Sequence, residues 1–198
     1  MNPKIILASQ SPRRAEILSQ IKVPFSVVPS SFDEDSFPYD QNPESYVREL
    51  AENKAEVVSK AHPESIVIAA DTVVFLEKRH FNKPSSFEEA VEFHRQLRGR
   101  WHSVWSGISI RQGKKHFSAA EETHVLFNAL SDEQIKTYLN SITWHDKSGG
   151  YAIQGNGGAL LVAQIKGCFY NVMGLPVNAL QKLLTHFGID LWQFLAKH

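Results

Sequence analysis

The sequence predicts a mixed-direction sheet flanked by helices, of the α/β or α+β class, and three observations carry that prediction. Strand-like runs and amphipathic helical stretches are interleaved, without the strict alternation of a purely parallel fold. Two long runs, Trp101 to Ile110 and His116 to Phe127, flank a Gln112-Gly113 turn as paired strands do. The 198-residue chain is 42% hydrophobic and 21% charged, a globular composition with ample length for a well-buried core.

Each element has a local cause. Ile5-Ile6-Leu7-Ala8 reads as a short buried strand, and Ser11-Pro12 as the N-cap and first residue of a helix with Ala15 to Ile21 as its body. Phe25 to Val28 is a second strand. Asn42-Pro43 opens a longer helix to about Lys60, and Ile66 to Leu76 is a long, almost wholly apolar strand. Ser86-Phe87-Glu88-Glu89 reads as a capping box before a helix ending near Gly99, and Ser131-Asp132-Glu133-Gln134 as another before a helix to about Asn140. The stretch Gly155-Asn156-Gly157-Gly158 reads as a tight hairpin turn leading into a strand from Ala159 to Ile165. Pro176 precedes a final helix containing Leu180, Leu183, Leu184 and Phe187. No internal repeat, low-complexity tract or long linker interrupts the chain. It reads as one domain over residues 1–198, or two small lobes whose boundary the sequence does not set.

Charge narrows the function. Lys+Arg and Asp+Glu number 21 each, which argues against a generally basic binder of nucleic-acid polymers. One cysteine, Cys168, excludes an intramolecular disulfide. No apolar run approaches the roughly 18 residues of a membrane span. Met1-Asn2-Pro3-Lys4 leads straight into a strand-like run with no apolar signal core, so a soluble cytoplasmic protein is expected.

The informative residues are charges on faces that ought to be apolar. Arg14 shares a helical stripe with Ile17, Leu18 and Ile21. Lys54 continues the stripe of Val47, Leu50, Ala51 and Val58, and Asp71 interrupts the apolar strand. An unpaired buried charge is expensive, so each needs a partner, a ligand or a route to solvent. Singly, each has a structural explanation: a helix cap for Arg14, a snorkelling stem for Lys54, a strand end for Asp71. Jointly they suggest a site for an anion and a metal.

The loop Ser9-Gln10-Ser11-Pro12-Arg13-Arg14 adds hydroxyls, a helix N-terminus and two guanidinium forks suited to phosphate. Lys83, in Asn82-Lys83-Pro84, adds a cation after the Asp71 strand, or is an exposed loop lysine. Asp71, and then Glu34 in Phe32-Asp33-Glu34-Asp35, are the candidate ligands of a hard divalent ion. The nine histidines lack HExxH spacing and Cys168 lacks a CxxC partner, which argues against zinc. P-loop, dinucleotide-fold and nucleophile-elbow signatures are missing as well.

Several segments together resemble the Maf proteins. They are Ala8-Ser9-Gln10-Ser11-Pro12-Arg13-Arg14, Ala70-Asp71-Thr72-Val73-Val74, Asn82-Lys83-Pro84 and Glu122-Thr123-His124-Val125. The run Asp146 to Gly155 and the closing Gly167 to Pro176 are similar too, and the order holds from about residue 5 to 185. The resemblance implies an α/β fold of two lobes with a deep groove, like the inosine triphosphatase architecture. It implies a nucleoside triphosphate pyrophosphatase that cleaves between the α- and β-phosphates using Mg²⁺ or Mn²⁺. Because dimers are common in the family, a homodimer is among the assemblies it allows.

The Tyr151-Ala152-Ile153-Gln154-Gly155 form, Thr72 and Arg13 resemble the branch that hydrolyses dTTP and UTP. By that resemblance Asp71 is the catalytic base and Arg13, Thr72 and Gln154 carry base specificity. Ser9, Arg14, Lys54 and Lys83 match positions that hold the triphosphate, and Glu34 joins Asp71 as a metal-associated acid. The chain departs from the pattern at Asn82, where glycine is usual, at Ser106-Gly107 in place of Thr-Gly, and at Ile142-Thr143-Trp144 in place of Gly-Glu-Pro or Gly-Glu-Trp. Two other readings stay open: a nucleotide-binding regulator of septum formation with little or no turnover, and a small-molecule phosphatase releasing inorganic phosphate first.

Overall fold

The computed structural model describes residues 4–34 and 36–196. Asp35 and the first three residues of the N-terminal reading, Met1-Asn2-Pro3, lie outside that range. In chain order the elements are β1 (Ile5–Leu7), α1 (Pro12–Gln20), β2 (Ser26–Val27), α2 (Pro43–Ala61), β3 (Ile66–Leu76), β4 (Arg79–Phe81) and α3 (Phe87–Leu97). Then follow β5 (Trp101–Gln112), β6 (Lys115–Phe127), α4 (Asp132–Asn140), a 3-10 turn (Ser148–Gly150), α5 (Gly158–Leu161), β7 (Val162–Lys166), α6 (Phe169–Met173), α7 (Val177–Thr185) and α8 (Trp192–Leu195).

The strands form a mixed sheet of seven in the order β2-β1-β3-β5-β6-β7, with β4 paired to β3. β1 lies parallel to both β2 and β3, whereas β4 pairs antiparallel with β3 and β7 antiparallel with β6. With helices flanking the sheet, this is an α/β fold of mixed direction. No described helix is long and apolar enough to cross a membrane.

The chain divides into two compact units. The first comprises the described residues within Met1–Asp71, Ser106–Glu121 and Gly174–His198; the second comprises Thr72–Trp105 and Glu122–Met173. In the first, Ile6, Ala8, Ala55, Val58, Val67 and Ala69 pack together, placing α2 on β1 and β3. Gly107 makes that side close-packed, because a Cβ there would stand 1.9 Å from the carbonyl oxygen of Val47. Any larger residue would push α2, the helix carrying Lys54, off the strand. The second core is richer in rings, with Phe81, Phe93, Phe127, Tyr138 and Tyr151 packed among Leu97, Val104, Ile135 and Leu139.

Local chemistry explains most boundaries. The Asn42 side chain accepts from the N–H groups of Glu44 and Ser45, and Pro43 follows it at N1. At α4 the capping box is complete, with Ser131 and Gln134 bonding reciprocally. At α3 the box is only half formed. Ser86 accepts from the Glu89 N–H, but the Glu89 carboxylate bonds the N–H and hydroxyl of Ser85 instead, one residue further out.

Two further readings need correction. Gly155–Gly158 is no hairpin turn, since no strand precedes it; Gly155 and Gly157 take left-handed φ values of 79° and 77° and lead into the helical turn α5. The strand therefore starts at Val162 and not at Ala159, because Ala159 to Leu161 complete that turn. Phe187 falls beyond the end of α7, and the short α8 follows it.

Candidate functional site

The first unit holds Arg13, Arg14, Glu34, Lys54 and Asp71. Lys54 lies in the middle of α2 with Leu50, Ala51 and Val58 on its stripe, and only 5% of it is exposed. Its ammonium meets Asp71, itself 6% exposed at the last position of β3 within this unit. The same Nζ donates to Glu34 Oε1 at 3.0 Å. One buried cation thus collects two carboxylates from two other segments. That arrangement answers the desolvation problem posed by both Lys54 and Asp71.

The β1–α1 loop supplies a second group. Arg14 donates through Nε to the carbonyl oxygen of Gly174 at 2.7 Å and through Nη1 to Ser9 Oγ at 2.9 Å. Ser9 Oγ also accepts the N–H of Ser11 at 3.2 Å, closing the turn into α1. Ser11 occupies the N-cap position with extended backbone but makes no capping bond through its own side chain. Loss of surrounding water lowers the Arg14 pKa; Asp71 raises it, Arg13 lowers it further and Glu34 raises it. A guanidinium short of water, which still keeps its proton, is stabilised by an added anion. Arg13 is half-buried one residue earlier.

Of the residues singled out in the sequence, Ser9, Arg14, Glu34, Lys54 and Asp71 are therefore joined by bonds and shared fields. Thr72, Lys83 and Gln154 belong to the second unit. Thr72 is half-buried in β3, Lys83 is exposed ahead of the buried Pro84, and Gln154 is half-buried after the 3-10 turn. Gln154 Oε1 is buried and has no hydrogen-bond partner among the described residues.

The segment leading to Gln154 is fastened from behind. Ser148 Oγ donates to the carbonyl of Phe81 and accepts from the N–H of Val74. His94 Nε2 bonds the carbonyl of Gly150 at 3.1 Å, and His102 Nε2 stands 2.9 Å from the Tyr151 hydroxyl. The Tyr138 hydroxyl donates to the Ala152 carbonyl at 2.9 Å and accepts the Ala152 N–H at 3.0 Å. Burial drives the ionisation of all four groups toward neutrality. His94 falls to about 4 despite its bond to Gly150, His102 falls to about 3, Tyr138 rises to about 12 and Tyr151 also rises.

Sequence reasoning missed this network. A signal was present: His94 lies on the stripe of Ala90, Val91 and Leu97, as Lys54 does on its own. At the Ile142-Thr143-Trp144 departure, Ile142 and Trp144 pack on the second unit's core and the Thr143 carbonyl accepts from Lys147 Nζ.

The Asp71 and Glu34 oxygens fit a hard divalent cation. Both reach one point, now the Lys54 ammonium, and an Mg²⁺-type ion characteristically takes one or two carboxylates plus substrate phosphates. The set is all oxygen, unlike the nitrogen and sulfur donors of a zinc centre.

Comparison with known proteins adds independent findings. A family model described as "Maf-like protein" matches residues 4–187. A dTTP/UTP pyrophosphatase of Clostridium perfringens (strain SM101 / Type A) is 47% identical over 191 residues, covering 95% of this chain and 99% of that protein. One from Chlamydia felis (strain Fe/C-56) is 43% identical over 196 residues, covering 98% and 100%. Among solved structures, the Staphylococcus aureus Ham1 protein aligns over 64% of this chain and 72% of its own, with a TM-score of 0.46 and 18% identity.

Proposed function

This chain belongs to the Maf-like protein family, and from that premise we propose that it hydrolyses dTTP and UTP to the nucleoside monophosphate and pyrophosphate. The observation carrying the chemistry is the buried Lys54 ammonium shared by Asp71 and Glu34, with the Arg14–Ser9 pair in the same unit. The names of relatives at 43% and 47% identity over nearly the full chain support the substrate.

Asp71 acts as the base. A water held against its buried carboxylate passes it a proton once the Lys54 ammonium has turned to the phosphates. Attack at the α-phosphorus then breaks the bond to the bridging oxygen, and negative charge accumulates on the departing pyrophosphate. Arg14, Lys54 and Lys83 stabilise that charge, with Ser9 Oγ holding the Arg14 fork in orientation. Lys54 moves from its two carboxylates to the phosphates as substrate arrives, since a triphosphate concentrates more negative charge than Asp71 and Glu34 together. When Mg²⁺ or Mn²⁺ is bound by Asp71 and Glu34, it supplies Lewis-acid neutralisation of the phosphate oxygens.

Arg13, Thr72 and Gln154 read the base. The buried, unpartnered Oε1 of Gln154 is an acceptor suited to the N3–H of thymine or uracil. The balanced charge of the chain fits single nucleotides better than polymers. On this reading the protein works in the cytoplasm.

The test is a panel of dTTP, UTP, CTP and ATP with Mg²⁺ or Mn²⁺ and chromatographic identification of products. Monophosphate with pyrophosphate from dTTP and UTP is expected. Orthophosphate as first product would identify a phosphatase, and tight binding without turnover a nucleotide-binding regulator.

A further inference from the structure

Tyr138 touches the Gln154 segment at two points, one on each side of that residue. Its hydroxyl closes both backbone groups of Ala152, donating to the carbonyl at 2.9 Å and accepting the N–H at 3.0 Å. Its ring meets the chain again at Gly157, where a Cβ would lie 2.8 Å from Cδ2. Gly157 also has φ of +77°, so only glycine lets the chain close over the ring without strain. Between these two points stands Gln154, whose buried Oε1 has no hydrogen-bond partner among the described residues. An unsatisfied buried acceptor is costly and is kept in place only by surroundings that over-determine it.

We propose that Tyr138 is a positioning residue for nucleobase selection, its side chain clamping residues 152 and 157 so that Gln154 Oε1 is presented to the N3–H of a uracil or thymine ring. This rests on the Proposed function reading and deepens it. The chemistry gives a direction: uracil and thymine carry a donor at N3, whereas cytosine carries an acceptor there and is repelled by a fixed carbonyl oxygen. A loosened Gln154 can turn its amide, offering nitrogen in place of oxygen, and so lose the distinction. The phenol is engaged with the Ala152 backbone, so its effect reaches substrate through Gln154 and falls on binding more than on the chemical step.

The experiment compares wild type, Tyr138→Phe, Gln154→Ala and the double variant, measuring kcat and KM for UTP and CTP alongside Tm. Phenylalanine keeps the ring and removes only the hydroxyl. A KM for UTP raised about tenfold with kcat within about twofold is expected, as is a UTP/CTP preference cut by about the same factor. In the Gln154→Ala background the same substitution should leave the preference unchanged, because Tyr138 acts through Gln154. A Tyr138→Phe protein with lowered Tm but wild-type KM and preference overturns the proposal and leaves the residue a structural one. Equal effects of Tyr138→Phe with and without Gln154 overturn it too. A wild type that neither binds nor hydrolyses UTP overturns the pyrophosphatase reading and this proposal with it; a selective wild type with an equally selective Tyr138→Phe overturns this proposal alone.

Discussion

The two units bury polar groups by opposite means. In the first, Lys54 and Asp71 meet as a buried ion pair, with Glu34 as a third partner at 3.0 Å from the same ammonium. In the second, His94, His102, Tyr138 and Tyr151 are equally enclosed, but burial moves their pKa values away from neutral pH and they stay uncharged. Charge suits a place that must handle phosphate, since the field is there before substrate arrives. Neutral hydrogen bonds suit a place that must hold backbone still, because they need no counter-ion and no water. On the proposed function, buried polarity therefore serves reactivity in one unit and rigidity in the other.

The contrast breaks most visibly at Asp71. Asp71→Asn keeps the shape but removes the base, so pyrophosphate release from dTTP should fall by about 10³-fold. Wild-type turnover in that variant would remove Asp71 from the chemistry. Next comes Lys54→Met, which keeps the stem and strands the Asp71 carboxylate. We expect a loss of about 3 kcal/mol in denaturant unfolding, and partial recovery in the Lys54→Met, Asp71→Asn double variant. Additive losses would show that the ion pair carries no coupling.

The neutral unit makes its own prediction in acid. The folded pKa values of His94 and His102, about 4 and about 3, lie below the unfolded value near 6.5. As pH falls below 6.5 the unfolded chain takes up protons that the folded chain refuses, so stability falls. The two groups together give a slope of about 2 kcal/mol per pH unit between pH 6 and 5, above the range where carboxylates titrate. His80, lowered by burial and by Arg79, acts in the same sense. A stability flat from pH 6.5 to 5 would mean that these rings accept protons in place. The smallest effect is at the α4 cap, where Ser131→Ala should cost about 1 kcal/mol in thermal unfolding without altering kcat.

Much of this organisation was legible from residue spacing. The long apolar strand occupies Ile66–Leu76 as read, and the Asn42-Pro43 start of α2 and the Ser131 box behave as their chemistry requires. Lys54, Arg14 and Asp71 declared themselves by standing on apolar stripes. Gly155–Gly158 misled because two glycines with positive φ suit a helix entry as well as a hairpin, and nothing local distinguishes them. The half-formed box at Ser86 misled for a similar reason: the Glu89 carboxylate had two neighbouring N–H groups in reach and took Ser85.

By itself, then, the sequence determined where the long helices and strands lie and which charges needed a partner, because both follow from interactions within a few residues. Only the tertiary structure decided who the partners are. Asp71 lies 17 residues from the ammonium it shares with Glu34, and the Gly174 carbonyl that takes the Arg14 guanidinium lies 160 residues away. Spacing cannot specify such pairs, since they form only when separate segments are packed into one interior. Tyr138 is the same case: an ordinary helix residue by its spacing, it becomes a clamp only once residues 152 and 157 are folded against it.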